Sequence, residues 1–191
     1  MRYEESSSSE EEFFTCREPE FVCDLHNGYI QMLQACYYQG TSRILSGGSM
    51  ERSYFVLENP KDSNVNVFIN KALHSNLSSS AIAVTTYLCS RVKGELRVSE
   101  CIDNTNTYFS KKQAKARIVY GREAIFKENN ANTRFSIPPY GIYSAIPSGS
   151  IVLAPGKCYV AEAEALEGSL GFDMISSLGW WECVVRECKC K

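Results

Sequence analysis

From Ser53 onward the pattern of apolar and polar positions is that of β-strands. Val65, Val67 and Ile69 alternate with Asn64, Asn66 and Asn70. Successive strand side chains point to opposite faces, so this pattern predicts a strand with one buried side. Just before it, Ser53-Tyr54-Phe55-Val56-Leu57 is a short strand, ended by Asn59-Pro60-Lys61-Asp62, whose proline and aspartate favour a turn. The same reasoning predicts strands over 81–88, 95–102, 117–120, 133–137, 142–146, 151–154, 158–165 and 180–186. Many short strands separated by turn residues make a sandwich or barrel.

Four stretches need separate argument. Between Pro147 and Val160 a Pro155-Gly156 turn separates two alternating runs, which predicts a β-hairpin, because proline presets one turn dihedral and glycine supplies a positive φ. In Ala161-Glu162-Ala163-Glu164-Ala165 the residue types favour helix but the alternation favours strand, and the flanking Val160 and Leu166 decide for strand. Tyr29 to Tyr38 has helical spacing at Tyr29, Met32, Leu33 and Cys36, although Tyr37-Tyr38 would suit a strand equally well. Phe109 to Ala116 is either one helical turn capped by Ser110 or an exposed basic loop.

The first residues differ from the rest. Ser6 to Ser9 followed by Glu10, Glu11 and Glu12 cannot bury enough apolar surface to order alone, so residues 1–24 read as a connector arm and residues 25–191 as the β-domain. A net charge of −2 over 191 residues gives no field that would draw in nucleic acid. No run of about 18 apolar residues is available to span a bilayer, so no membrane insertion is expected. The acidic start also lacks the basic and apolar parts of a secretory signal.

Nine cysteines then change the picture, because reducing compartments keep thiols unpaired and an odd number leaves at least one outside any internal bridge. Cys16, Cys23 and Cys36 stand near one end of the chain, and Cys183, Cys188 and Cys190 near the other. Structural zinc wants closely paired ligands such as C-x2-C, and none occurs here; joining the C-terminal cysteines to His26 or His74 would require an assumed fold. No metal or other cofactor is expected. His26 and His74 lie in no nucleophile motif and read as surface or loop residues, so an enzyme is not expected. Glu162 and Glu164 share a strand face and read as solvated. The cluster Lys111, Lys112, Lys115, Arg117 and Arg122 also reads first as solvated surface, and second as a dock for the acidic arm of another subunit. Asn76-Leu77-Ser78 matches a glycosylation acceptor by chance. Trp180 and Trp181 must face opposite sides of a strand: one fills the core, and the other is either covered or an interface anchor.

Three segments carry a resemblance: Tyr54 to Asn70 (YFVLENPKDSNVNVFIN), Ser150 to Lys157 (SIVLAPGK) and Gly179 to Glu182 (GWWE). Over roughly residues 53 to 183 the chain resembles an uncharacterised family of small β-domain proteins from endospore-forming Firmicutes, which implies no activity. In architecture it is similar to the subunits of bacterial endospore appendages. These are jelly-roll domains with an N-terminal connector whose cysteines bond neighbouring subunits into a fibre outside the cell without a secretory signal. The resemblance implies a jelly-roll-like antiparallel β-sandwich with an extended N-terminal arm, whose partner is further copies of itself in a head-to-tail, disulfide-cross-linked fibre at the spore surface or outside the cell. The intermolecular disulfide candidates are Cys16 and Cys23 on the arm and Cys183, Cys188 and Cys190 as acceptors, with Phe13, Phe14 and Trp181 as interface candidates. The alternatives are a monomeric β-sandwich module binding a carbohydrate or protein, and a cysteine-rich metal-binding or redox protein.

Overall fold

The computed structural model describes residues 36–89, 92–109, 112–126, 131–166, 168 and 170–185. Among them are the strands β1 (Tyr37–Thr41), β2 (Leu45–Gly48), β3 (Arg52–Glu58), β4 (Val65–Asn76), β5 (Ile82–Cys89), β6 (Val92–Lys93), β7 (Arg97–Val98) and β8 (Ile102–Asn104). There follow β9 (Arg117–Gly121), β10 (Ile125–Phe126), β11 (Thr133–Ile137), β12 (Ile142–Ala145), β13 (Ile151–Leu153), β14 (Cys158–Ala165) and β15 (Gly171–Val184). One sheet runs β12-β4-β15-β1-β8, with β13 also on β4 and β2 on the first part of β15. The other runs β11-β5-β14-β3-β9-β7, and every pairing in both sheets is antiparallel. Successive strands repeatedly change sheet, as β3, β4 and β5 do, which makes the sandwich jelly-roll-like.

Alternation explains the packing. Val67, Ile69, Ala72 and His74 of β4 face Phe55, Leu57, Ile82 and Val84 of the other sheet, and Trp180, Leu178 and Met174 of β15 close the same core. Ala161 and Ala163 are fully buried on β14 between β3 and β5, so the sheet's central position overrides their helical preference. A second apolar layer lies outside this sheet, where Tyr54, Val56, Tyr87, Val119 and Val160 are covered by Val92 and Phe126 from the small β6–β10 pair.

The structure corrects several expectations. The Pro155-Gly156 turn exists, with Lys157 N–H donating to Ala154 O at 3.0 Å and Gly156 at φ +79°. It does not close a hairpin, however, because β13 pairs with β4 while β14 pairs with β3 and β5. The buried Asn59 holds this crossing between the sheets, its side-chain amide donating to Val65 O and Leu153 O, each at 2.8 Å. The strand expected over 95–102 is instead two short pieces on different sheets, switched at Ser99, whose hydroxyl donates to Thr41 O at 2.6 Å and whose N–H donates to Ile118 O at 2.8 Å. Tyr37 and Tyr38 are in strand, and residues 29–35 of the proposed helix lie outside the described residues. Near 109–116 one 3-10 turn, Thr107–Phe109, is followed by a non-helical loop from 112. Glu162 is only 4 % exposed and forms a cross-strand pair with Arg52 at 3.1 Å, so its side of β14 is a paired face. Asn76 is buried, its amide donating to Ser80 O, Ile137 O and Pro138 O, so the folded chain has no accessible glycosylation acceptor there.

Both tryptophans face as alternation requires. Trp180 is in the core, and Trp181, 6 % exposed, stacks on Phe68 with ring centroids 5.4 Å apart. The loop after β12 covers Trp181 at Gly149, where φ is +81° and an added Cβ would fall on the indole. Gly149→Ala should therefore cost about 1–2 kcal/mol, from the positive φ and from overpacking. A thermal melt should show a drop on the order of 5 °C; an unchanged melting temperature would mean that the loop does not hold Trp181 down.

Candidate functional site

One end of the sandwich collects the features that the sequence singles out. The start of β1 and the end of β15 meet there, with Tyr37 opposite Trp181 and Glu182 N–H donating to Cys36 O at 3.0 Å. The starts of β4, β9 and β14 and the ends of β3 and β13 lie at the same end, since Val65 pairs with Val184, Arg117 with Glu58, Cys158 with Glu58, and Leu153 with Val67. Residues 1–35 and 186–191 therefore both join the body at this pole. Cys16, Cys23, Phe13, Phe14, Cys188 and Cys190 lie outside the described residues.

Within the pole, Cys36 immediately precedes β1, and Cys183 on the adjacent β15 follows the Glu182 whose N–H bonds Cys36 O. Lys112 Nζ donates to Cys36 Sγ at 3.3 Å. The Glu182 carboxylate is buried and accepts from Lys115 N–H at 2.9 Å, Ala116 N–H at 2.8 Å and Trp180 Nε1–H at 3.2 Å, so the basic loop 112–116 is strapped onto the pole. Burial, then the neighbouring Glu182 and Cys36, push the Tyr38 phenol up to about 12, so it stays neutral. Its hydroxyl reaches Gln113 O in the same loop at 3.5 Å.

Sequence reasoning missed two cysteine placements. Cys89 at the end of β5 and Cys158 at the start of β14 form a buried disulfide, their Cα atoms 5.2 Å apart on paired strands. Cys101 is exposed beside the edge strand β8, in a groove with Gln39, Thr41 and Asp103. It lies next to Thr41, the far end of the five-residue β1, about 13 Å from Tyr37. Strand ends at 89 and 158 are visible in the sequence, but their register is not.

His74, expected at the surface, is fully buried on β4: Nδ1 lies 2.8 Å from Ser176 Oγ, and Phe55, Phe135 and Tyr143 surround the ring. Among the described residues no three His, Cys, Asp or Glu side chains gather as a ligand set for a metal ion. A cleft of about 670 Å3 opens at the opposite end between β2 and β9 over Leu45, Leu96 and Tyr120, with Glu95, Arg97 and Arg122 on its rim.

No curated protein and no solved structure matches the chain. One family model does match, over residues 18–187, which take in the whole sandwich and the pole. By that match the chain belongs to DUF6143, a family of unknown function.

Proposed function

We propose that the protein is a self-assembling structural subunit, cross-linked by disulfides into a fibre at a spore surface or outside the cell. The observation that supports this most is the division of the cysteines. Cys89 and Cys158 tie the body internally, whereas the chain segments bearing Cys16, Cys23, Cys188 and Cys190 leave one pole beside Cys36 and Cys183. The bridge that the described residues show lies within the body and uses none of the terminal cysteines. Exposed Cys101 adds an acceptor on a sheet edge, where a strand from another chain could also pair. Each cross-link joins two thiols, releasing two protons and passing two electrons to dioxygen or to a small disulfide by exchange. An arm that reaches a different patch on the next copy makes a heterologous contact, which propagates as an open filament.

The full-length protein, oxidised in air or with a small disulfide, should give a ladder of high-mass species on a non-reducing gel that collapses with reductant, and filaments by negative-stain microscopy. Cys16→Ser with Cys23→Ser should abolish the ladder while leaving the β circular-dichroism spectrum intact. A single monomer band from the oxidised parent protein would reject covalent assembly. A second reading, a monomeric ligand-binding module, is favoured by the 670 Å3 cleft, whose size suits a small ligand. It predicts that same monomer band.

A further inference from the structure

The net charge of −2 conceals a separation. Residues 1–24 carry eight carboxylates against two arginines, whereas residues 25–191 carry eighteen basic side chains against fourteen acidic ones. The fold concentrates the positive charge. At the pole where the arm joins the body, Lys61, Lys112, Lys115, Arg117 and Lys157 are all exposed. They are neighbours: Gly156 approaches Lys61, Asn59 N–H donates to Lys157 O, and Arg117 follows the loop held by Glu182. Against these five, Glu58 pairs with Arg117 at 3.0 Å, Asp62 is exposed beside Lys61, and Glu182 is buried beneath its three N–H donors, so among the described residues a positive excess remains on the side of Lys112 and Lys115. At the opposite end, Arg52 and Arg122 are already matched with Glu162, Glu164 and Glu51.

We propose that the acidic segment Glu4–Glu12 docks on this basic pole of its own chain, across Lys112 and Lys115. Three observations support it. The occupant has five glutamates in nine residues, and the surface has the opposite sign. The two lysines are presented by a loop already fixed by Glu182, so docking need not order it. The arm also starts at the target: Lys112 is 3.3 Å from Cys36, and residues 13–35 can span up to about 80 Å, far more than the link requires. A tether of this kind gives an effective concentration on the order of millimolar, so in dilute protein a chain meets its own segment before another chain's. The contact restrains the arm, and Cys16 four residues beyond Glu12, until salt or a competing polycation releases it. It stands whether or not the protein forms fibres.

Zero-length carbodiimide cross-linking tests this on the full chain under reducing conditions, using an equal mixture of unlabelled and 15N-labelled protein. Peptide mass spectrometry should find amide links from the glutamates of residues 4–12 to Lys112 and Lys115, each within one isotopic population. Raising NaCl from about 20 mM to about 0.5 M should cut their yield by about fivefold or more, because the Debye length falls well below 10 Å. Lys112→Glu with Lys115→Glu, both exposed positions, should abolish them without changing the circular-dichroism spectrum. Adding Glu10→Lys, Glu11→Lys and Glu12→Lys should restore links of reversed polarity. Isotopically mixed links would place the segment on another copy. Links that are absent, insensitive to salt or spread evenly over the exposed lysines would also overturn the proposal.

Discussion

Replacing Cys89 and Cys158 together by alanine should lower the unfolding free energy of the oxidised protein by about 4 kcal/mol. The bridge closes a loop of 69 residues that includes β6 through β13, and it restricts the unfolded chain by roughly that amount in the chain-entropy account. It also joins the outer apolar layer, where both sulfurs are buried with Tyr54, Tyr87 and Val160. Mild reductant should therefore leave the folded bridge intact while opening the exposed cross-links of a ladder, so that the two kinds of disulfide separate by accessibility. Urea unfolding of the oxidised parent and the double variant measures the effect through the midpoint at constant slope. A difference under about 1 kcal/mol, or a tryptic map lacking the peptide pair linked through Cys89 and Cys158, would remove the bridge from the account of stability.

The same bridge shows where the sequence stops being readable. The strand containing Cys158 is plain from alternation, as is the one ending near Cys89, but nothing local tells which strands of an antiparallel sandwich are neighbours across 69 residues. The hairpin expectation fails for the same reason. Pro155-Gly156 fixes how the chain reverses, whereas the partner of each arm is fixed by Asn59 and by β4 and β5, which lie far away in sequence. The long β15 is legible only in its second half. Phe172, Met174, Ser176, Leu178 and Trp180 do alternate inward, but Gly171, Ser177 and Gly179 between them lack the β-branched or aromatic side chains that mark a strand. Gly179 is there for a tertiary reason: the Tyr37 hydroxyl lies where its Cβ would be, at the bulge where Asn70 of β4 donates to that hydroxyl at 2.9 Å. At the pole, the basic loop 112–116 is visible as composition, but its strap, Glu182, looks like any charged residue after two tryptophans. Only the sandwich brings it under the backbone of Lys115 and Ala116.

His74 should make the protein markedly less stable in mild acid. Burial alone lowers this imidazole to about 4 in the folded state, against an ordinary value of 6.5 in the unfolded chain. The groups facing it are Ser176 on β15, Phe55 on β3, Phe135 on β11 and Tyr143 on β12, none of which offers a carboxylate to hold an imidazolium. Between pH 6.5 and about 4 the unfolded chain takes up a proton that the native protein excludes, so acidification favours unfolding. This contribution is fully present above pH 6.5, declines through that window by about 3 kcal/mol, and falls no further below pH 4. His74→Gln keeps a hydrogen-bonding partner for Ser176 but cannot titrate, and carboxylates elsewhere contribute equally to both proteins. The measurement is therefore the difference between parent and variant in unfolding free energy, by urea at pH 7.5 and pH 4.5. The gap between the two pH values should shrink in the variant by about 2 to 3 kcal/mol, whatever the variant's stability at neutral pH. Equal pH dependence in the two proteins would mean that the native sandwich accommodates a charged imidazole, which this apolar, carboxylate-free surrounding is not built to do.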